Sequence, residues 1–261
     1  MSLSDNPRVA PVRMIAAAAV AAVLGVALLA GCATAGPAPA ASAPASDPGS
    51  PAPSLAPSPS PSPTPAPVGI AATAGGPSVT VHSAPGGDAV DTLASPISSG
   101  APLTFLLVED RDEWLQVALA QRPNGSTGWV RASEVSLARL QYSLVVSTAA
   151  NTLSVYRDDE LVETYPAATG TGGTPTPLGS FYLTELLEPT NAGYGPFAFG
   201  LSAFSDVLTS FGGGPGQIGL HGTEDAASIG TAASNGCIRL SNDVITALAQ
   251  VLPLGTPITI E

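Results

Sequence analysis

Two segments near the carboxyl end of this 261-residue sequence contain residue types able to perform covalent chemistry together. One holds Cys237, and the other holds His221. A thiolate is the attacking species, but a free thiol with a pKa of about 8.5 is mostly protonated at neutral pH and needs a base. Imidazole is the natural base, because its unperturbed pKa is about 6.5. The spacing and residue types therefore predict Cys237 as nucleophile and His221 as base.

Glycines flank both reactive residues. Gly222 follows His221, and Gly236 precedes Cys237. Because glycine lets backbone approach closely, the amides of Gly236 and Cys237 are predicted to point at a developing oxyanion. A Ser-His-Asp triad would be expected to have a glycine-flanked nucleophilic serine, and none stands out in this sequence. One cysteine and one histidine are too few for a metal site, so neither metal nor cofactor is expected.

The sequence around these residues resembles that of the L,D-transpeptidase catalytic domain of the YkuD type. That family carries a His-Gly pair and, further on, a Ser-x-Gly-Cys-x-Arg segment. Each half is weak alone, but both in this order are highly specific, and the likeness spans roughly 120 residues. The matching positions are His221, Gly222, Ser234, Gly236, Cys237 and Arg239, with supporting matches at 174–179 and 218–223.

The resemblance implies a role for each matching residue. Cys237 attacks, while His221 takes its proton and later protonates the leaving amine. The carbonyl of Gly222 holds the imidazole tautomer, as a carboxylate does in other triads. Arg239 shapes or charges the site, and Ser234 helps to orient it.

Four further residues are predicted to contact the substrate: Tyr194, Phe197, Asn235 and Thr223. Asn235 stands where many relatives have a second histidine. The glycines at 212–216, with Tyr194, Phe197 and Phe199, have two readings: a lid over the site, or an ordinary loop and core.

The implied reaction is acyl transfer on peptidoglycan tetrapeptide stems. The enzyme would cut between the L-centre of a diamino acid and D-alanine, then pass the acyl group to another stem's side-chain amine in a 3→3 cross-link. One peptide bond replaces another, so neither ATP nor metal is required. Carbapenems acylate many relatives, which makes this protein an expected target.

Two alternatives remain open. An L,D-carboxypeptidase would give the same acyl group to water. A non-catalytic wall-binding lipoprotein would use only its other folded unit, although the intact His221, Gly236, Cys237 and Arg239 set disfavours that reading.

The chain is divided into four predicted parts. Residues 1–31 resemble a lipoprotein signal, with Arg8 and Arg13 before an apolar run and a lipobox-like ending before Cys32. Cleavage would let lipid attach to Cys32, whereas an uncleaved anchor is the alternative. Residues 32–76 form a disordered linker rich in Pro, Ala and Ser. Residues 77–138 and 139–261 are the two folded units.

The predicted fold is mostly β. Short apolar runs in 77–138 resemble a bacterial SH3-like barrel, with Trp114 and Trp129 either as core aromatics or as a ligand platform. Residues 139–261 are predicted to form an L,D-transpeptidase-type β-sandwich with one short helix that Ser241 caps.

Composition excludes some partners. The chain has 20 acidic residues against 8 basic ones, a formal net charge of −12, so nucleic acid is not expected to bind. The predicted location is the outer face of the cytoplasmic membrane, through the lipid on Cys32 and facing the wall.

Overall fold

The computed structural model describes residues 68–211 and 213–261. The predicted signal, Cys32 and most of the predicted linker lie outside these residues. Within them, two large sheets, one two-stranded sheet and one α-helix are present, so the predicted mostly-β fold with a single helix is confirmed. The SH3-like and lipoprotein assignments stay predictions. No helix in the described part is long and apolar enough to cross a membrane.

Seven strands form the sheet that we call the amino-terminal sheet, in the order β3-β2-β6-β5-β4-β1-β7. Alternate residues along its strands point into an apolar core built around Val79, Phe105 and Val117. The strands are β1 (Ile70–Ala74), β2 (Ser78–His82), β3 (Ala89–Ala94), β4 (Thr104–Arg111), β5 (Trp114–Ala118), β6 (Thr127–Arg131) and β7 (Val135–Arg139).

Strand β1 corrects the predicted linker, which extended to residue 76. Ile70–Ala74 pairs with both β4 and β7, and its Ala71 and Ala72 are buried. The small residues that resemble linker composition are those that let β1 pack between its neighbours.

Both tryptophans of the amino-terminal sheet are largely buried. Trp114 is 9% exposed and Trp129 8%, with Arg131 and Arg111 stacked over their respective rings. This arrangement favours the core-aromatic reading. His82 packs edge-on against Trp114, far along the chain from the predicted nucleophile.

Eight strands form the carboxy-terminal sheet, in the order β10-β9-β8-β17-β12-β13-β14-β16. It is antiparallel except where β17 pairs with β8 and β14 with β16. The strands are β8 (Tyr142–Ser147), β9 (Thr152–Arg157), β10 (Glu160–Pro166), β12 (Gly179–Leu187), β13 (Ala198–Phe204), β14 (Gln217–His221), β16 (Ile238–Arg239) and β17 (Pro257–Ile260), while β11 (Thr169–Gly170) and β15 (Ala232–Ser234) form the small parallel sheet.

The helix α1 (Asn242–Val251) packs on the core of the carboxy-terminal sheet through Ile245 and Leu248. Ser241 Oγ accepts a hydrogen bond from the Val244 amide, which confirms the predicted cap. The helix starts three residues after Arg239, so it anchors the chain directly behind the predicted site.

Polar contacts join the two large sheets. The hydroxyl of the fully buried Tyr182 donates to the Ala118 carbonyl at 3.1 Å. Asn124 both donates to the Phe204 carbonyl and accepts from its amide, at 2.8 and 2.9 Å. The loop after β5 is thereby attached to the end of β13.

Candidate active site

Cys237 lies in the tight turn between β15 and β16. Gly236 precedes it with φ +113°, a conformation that favours glycine. A Cβ on Gly236 would also lie 3.0 Å from Ile218 Cδ1. The glycine before the cysteine therefore serves both the backbone conformation and the packing of the turn.

Ser234 holds this turn from inside. Its hydroxyl donates to the Cys237 carbonyl at 2.5 Å and accepts from the Gly236 amide at 3.1 Å. The Gly236 amide, expected to face the oxyanion, is therefore already paired. The Cys237 amide has no hydrogen-bond partner among the described residues, which leaves it free for that task.

The Thr-Pro stretch of 174–179 supports the turn from outside. Thr176, which is 3% exposed, donates to the Gly236 carbonyl at 2.9 Å and accepts from the Gly170 amide at 2.8 Å. Thr174 Oγ1 donates to the Ser234 carbonyl at 3.3 Å. This stretch, which matches the family in sequence, thus positions the backbone around the cysteine.

His221 is the last residue of β14 and is paired in parallel with Arg239 of β16. Its Nδ1 lies 2.5 Å from the Gly222 carbonyl oxygen. Because a carbonyl can only accept, Nδ1 carries the proton in the neutral ring and Nε2 is left as the acceptor. A Cβ on Gly222 would overlap Asn242 Oδ1, which accepts from the Thr223 amide at 2.9 Å.

The two reactive side chains converge over Gly219. The Gly219 amide lies 3.4 Å from Cys237 Sγ. A Cβ on Gly219 would lie 3.9 Å from that sulfur and 3.7 Å from His221 Cδ2. The space that a side chain at position 219 would fill therefore lies next to both the thiol and the imidazole.

Burial keeps both groups neutral at rest. It lowers the pKa of His221 to about 4, and the Arg239 charge acts in the same direction against the Gly222 hydrogen bond. Burial also raises the pKa of the Cys237 thiol, while the Gly219 amide and Arg239 oppose that shift. The site therefore rests as thiol and imidazole, not as an ion pair.

Arg239 is an unpaired cation beside this pair. Its Nε is buried without a hydrogen-bond acceptor, and no acidic side chain of the described residues lies within ion-pair distance. A guanidinium in this state is suited to an anionic ligand group.

A groove of about 290 Å³ leads to the cysteine. The Tyr194 ring lies 4.7 Å from the His221 ring and forms one wall. The lining of the groove also includes a segment that we call the flap, residues 205–211 and 213–216, through Phe211, Gly214 and Pro215. Gly212 lies outside the described residues.

The predicted substrate contacts are only partly brought together. Tyr194 lines the groove, and the exposed Asn235 lines a smaller cavity beside Arg239. The side chain of Phe197 packs against the core, and that of Phe199 is fully buried. Thr223 is 6% exposed and its Oγ1 accepts from the Asp225 amide, so it shapes the turn after His221.

The flap is fastened by the amino-terminal sheet. Arg122 Nη2 donates to the carbonyls of Ser205, Leu208 and Pro215 at 2.9, 3.2 and 3.0 Å. Its guanidinium also stacks over Phe204. Sequence reasoning missed Arg122, because its partners are backbone carbonyls more than 80 positions away and leave no motif.

Two other residues of the site were also missed. Asn242 belongs to no motif in the sequence, and its side chain packs behind Gly222. Glu185 lies within β12 and has no sequence signal of its own. No group of three or more His, Cys, Asp or Glu side chains within 68–211 and 213–261 is arranged to hold a metal ion.

Comparison with known proteins identifies the family of the catalytic part of the chain. The L,D-transpeptidase catalytic domain family, YkuD, matches residues 141–260. YkuD of Bacillus subtilis, named for L,D-transpeptidase activity, is 35% identical over 122 residues, which cover 47% of this chain and 67% of that protein. YqjB of the same organism, named likewise, is 33% identical over 122 residues, or 45% of this chain and 69% of that protein.

Solved structures resemble the chain less closely. An L,D-transpeptidase from Mycobacterium tuberculosis aligns with a TM-score of 0.41 and 18% identity, covering 54% of this chain and 74% of that one. The chain spans about two thirds of the length of the curated relatives named above, and the family match lies in its carboxy-terminal part. The chain belongs to the L,D-transpeptidase family with the YkuD catalytic domain.

Proposed function

We propose that this protein is a peptidoglycan L,D-transpeptidase that forms 3→3 cross-links through an acyl-enzyme on Cys237. The observation that carries the proposal is the convergence of Cys237 Sγ and the His221 ring over Gly219, with the His221 tautomer set by the Gly222 carbonyl. That tautomer leaves Nε2 as the proton acceptor that a neutral thiol requires.

Acylation begins when Sγ attacks the carbonyl carbon of the diamino acid in a donor tetrapeptide. The thiol proton moves to His221 Nε2 as the C–S bond forms. The free Cys237 amide donates to the oxyanion. When the C–N bond breaks, His221 returns the proton to the leaving nitrogen, and D-alanine departs with its amine complete.

Deacylation uses the same groups in reverse. The side-chain amine of a second stem attacks the thioester carbon, and His221 accepts a proton from it. The C–S bond breaks, and that proton returns to the sulfur. One C–N bond has replaced another, with no change of oxidation state.

Arg239 is placed to bind the D-alanine end of the donor stem. Its half-buried guanidinium, whose Nε is buried without an acceptor, lines the small cavity that also contains Cys237 and Asn235. When the scissile bond lies at Cys237, the terminal carboxylate of the donor's D-alanine lies close to this cavity. We therefore assign Arg239 to the carboxylate and Tyr194 to the face of the bound peptide.

The proposal is tested by incubating the purified full chain with a disaccharide-tetrapeptide and analysing the products by mass spectrometry. Release of D-alanine together with tetrapeptide–tripeptide dimers linked 3→3 supports the transpeptidase. Tripeptide monomers alone would instead identify the carboxypeptidase. Absence of all three products with lysine and with diaminopimelate stems would reject the enzyme and leave the wall-binding alternative.

The location is also a proposal. A lipid on Cys32 would anchor the protein to the outer face of the cytoplasmic membrane, and the linker would extend the folded part toward the wall. Mass spectrometry of the mature protein from a bacterial host checks this: a diacylglyceryl-modified Cys32 as the first residue supports it. An intact amino terminus on the membrane-bound protein would favour the uncleaved anchor instead.

A further inference from the structure

A second charged group, besides Arg239, lies near the cysteine. Glu185 lies on β12 and lines the same groove as Cys237. Its carboxylate has no ion-pair or hydrogen-bond partner among the described residues. Gln217 lines the same groove, but both hydrogens of its Nε2 already go to Thr184 Oγ1 and the Leu201 carbonyl.

A β-bulge in β12 directs Glu185 into the groove. Phe181 and Leu183 face the core, and regular alternation would turn Glu185 the same way. The pairing with β13 shifts between Leu183 and Glu185, after which Leu186 faces the core instead. Bulges beside active sites commonly re-aim a side chain in this manner.

Two glycines form the floor between this carboxylate and the cysteine. Glu185 is paired with Gly200, and Gly200 with Gly219, so the three residues share one face of the sheet. A Cβ on Gly200 would lie 2.7 Å from Glu185 Oε1, and one on Gly219 lies 3.9 Å from Cys237 Sγ. Directly opposed Cβ positions are about 5 Å apart, which places Oε1 within about 12 Å of the sulfur.

A span of up to about 12 Å accommodates one feature of the donor stem. In a near-attack geometry the carbonyl carbon lies about 3 Å from the sulfur. A four-carbon side chain carries its amine about 6 Å further, and a charge-assisted hydrogen bond adds about 3 Å. The two glycines leave room for the aliphatic part of that chain.

We propose that Glu185 binds the side-chain ammonium of the donor stem's diamino acid, the residue whose carbonyl Cys237 attacks. The inference rests on the proposed function for its substrate class. Arg239 and Glu185 then receive the two charges on opposite sides of the scissile bond, the carboxylate of D-alanine and the side-chain amine. A donor bound backwards would meet two like-charge contacts, so the pair also fixes direction.

The test separates binding from chemistry by using the full chain with Cys237→Ala. Four tetrapeptide stems are titrated by calorimetry: lysine and diaminopimelate at the third position, each with the side-chain amine free or acetylated. The free-amine stem is expected to bind about tenfold tighter than its acetylated form. Adding Glu185→Gln should bring the two within about threefold, chiefly by weakening the free-amine stem.

Glu188→Gln is the matched control, since it removes the same charge from an exposed residue close by that does not line the groove. It should keep the tenfold preference. An unchanged preference in the Glu185→Gln protein, or an equal loss in the Glu188→Gln protein, would overturn the proposal. Acylation of the unmodified chain is followed separately by mass, so an inactive enzyme with an intact binding preference would reject the proposed function alone.

Discussion

The two walls of the groove are held in different ways. The wall that carries His221 and Cys237 is fixed by its own neighbours: Ser234 bonds within its turn, and Thr176 lies in the adjoining loop. The flap depends on Arg122 in the loop after β5, and Asn124 of the same loop holds Phe204, which directly precedes the flap. The reacting groups are therefore positioned by residues of the carboxy-terminal part of the chain, whereas the flap is fastened by a residue of the amino-terminal part.

This difference predicts that substitutions on the two walls fail differently. Changes around Cys237 should reduce the rate of the chemical step, because they move or remove reacting groups. Changes in the residues that fasten the flap should chiefly raise KM, because they loosen a binding surface without touching the reacting atoms.

The largest effect short of removing the nucleophile is expected for His221→Gln. Without a proton acceptor the neutral thiol loses general-base assistance, so acylation should slow by about 100- to 10,000-fold. Single-turnover mass spectrometry with a tetrapeptide stem measures it. His82→Gln is the control and should react at the unmodified rate; a slowing of less than about threefold for His221→Gln would remove the residue from the mechanism.

Ser234→Ala should have the next largest effect. The change removes the hydroxyl that bonds the Gly236 amide and the Cys237 carbonyl. Because Ser234 is only 1% exposed, water cannot readily replace that hydroxyl. Acylation should slow by about tenfold, and the free energy of unfolding should fall by about 1–3 kcal/mol. Ser136→Ala, an exposed serine of β7, is the comparison for denaturant unfolding. Equal behaviour of the two variants would show that the turn is held by other contacts.

Arg122→Ala tests the other wall. Three flap carbonyls lose their donor, so KM for the donor stem should rise by about three- to tenfold with kcat less affected. Hydrogen exchange should accelerate in residues 205–211 and 213–216. Arg157→Ala, at the exposed end of β9, removes the same charge elsewhere. A loss confined to kcat, with unchanged exchange, would contradict the proposed division between the walls.

The buried imidazole also predicts a pH dependence of activity. Because the pKa of His221 is lowered to about 4, kcat/KM for acylation should hold between about pH 6 and 8 and fall to half near pH 4. The measurement is a pH profile of donor acylation. A midpoint close to the ordinary histidine value of about 6.5 would show that the ring is not desolvated as the structure has it.

The buried imidazole also makes stability depend on pH. Between about pH 6.5 and 4 the unfolded chain binds a proton at His221 that the folded chain excludes, so stability falls as the pH falls through this window. The difference amounts to about 3 kcal/mol at the low end. Urea unfolding at pH 7 and 4.5 should show a smaller loss for His221→Asn than for the unmodified chain; identical losses would assign the dependence to carboxyl groups.

The sequence predicted one wall well and the other poorly, for a physical reason. Cys237, His221, Gly222 and Ser234 carry recognisable residue types at fixed spacing, and the structure gathers them. Arg122 acts through backbone carbonyls, which any residue can present. Glu185 depends on a β-bulge that alternation does not reveal, and Phe197 has the size of a groove aromatic but faces the core. Alanine-rich β1 resembled linker because its burial arises from its neighbours.

The most direct test of the account is an intact-mass time course of the full chain with a tetrapeptide stem, followed by peptide mapping of any adduct. We expect a mass increase equal to the tripeptide acyl group, located on Cys237, with equimolar D-alanine released and no adduct in the Cys237→Ala protein. An adduct of that mass on another residue, or one that persists in Cys237→Ala, would contradict the assignment of the nucleophile.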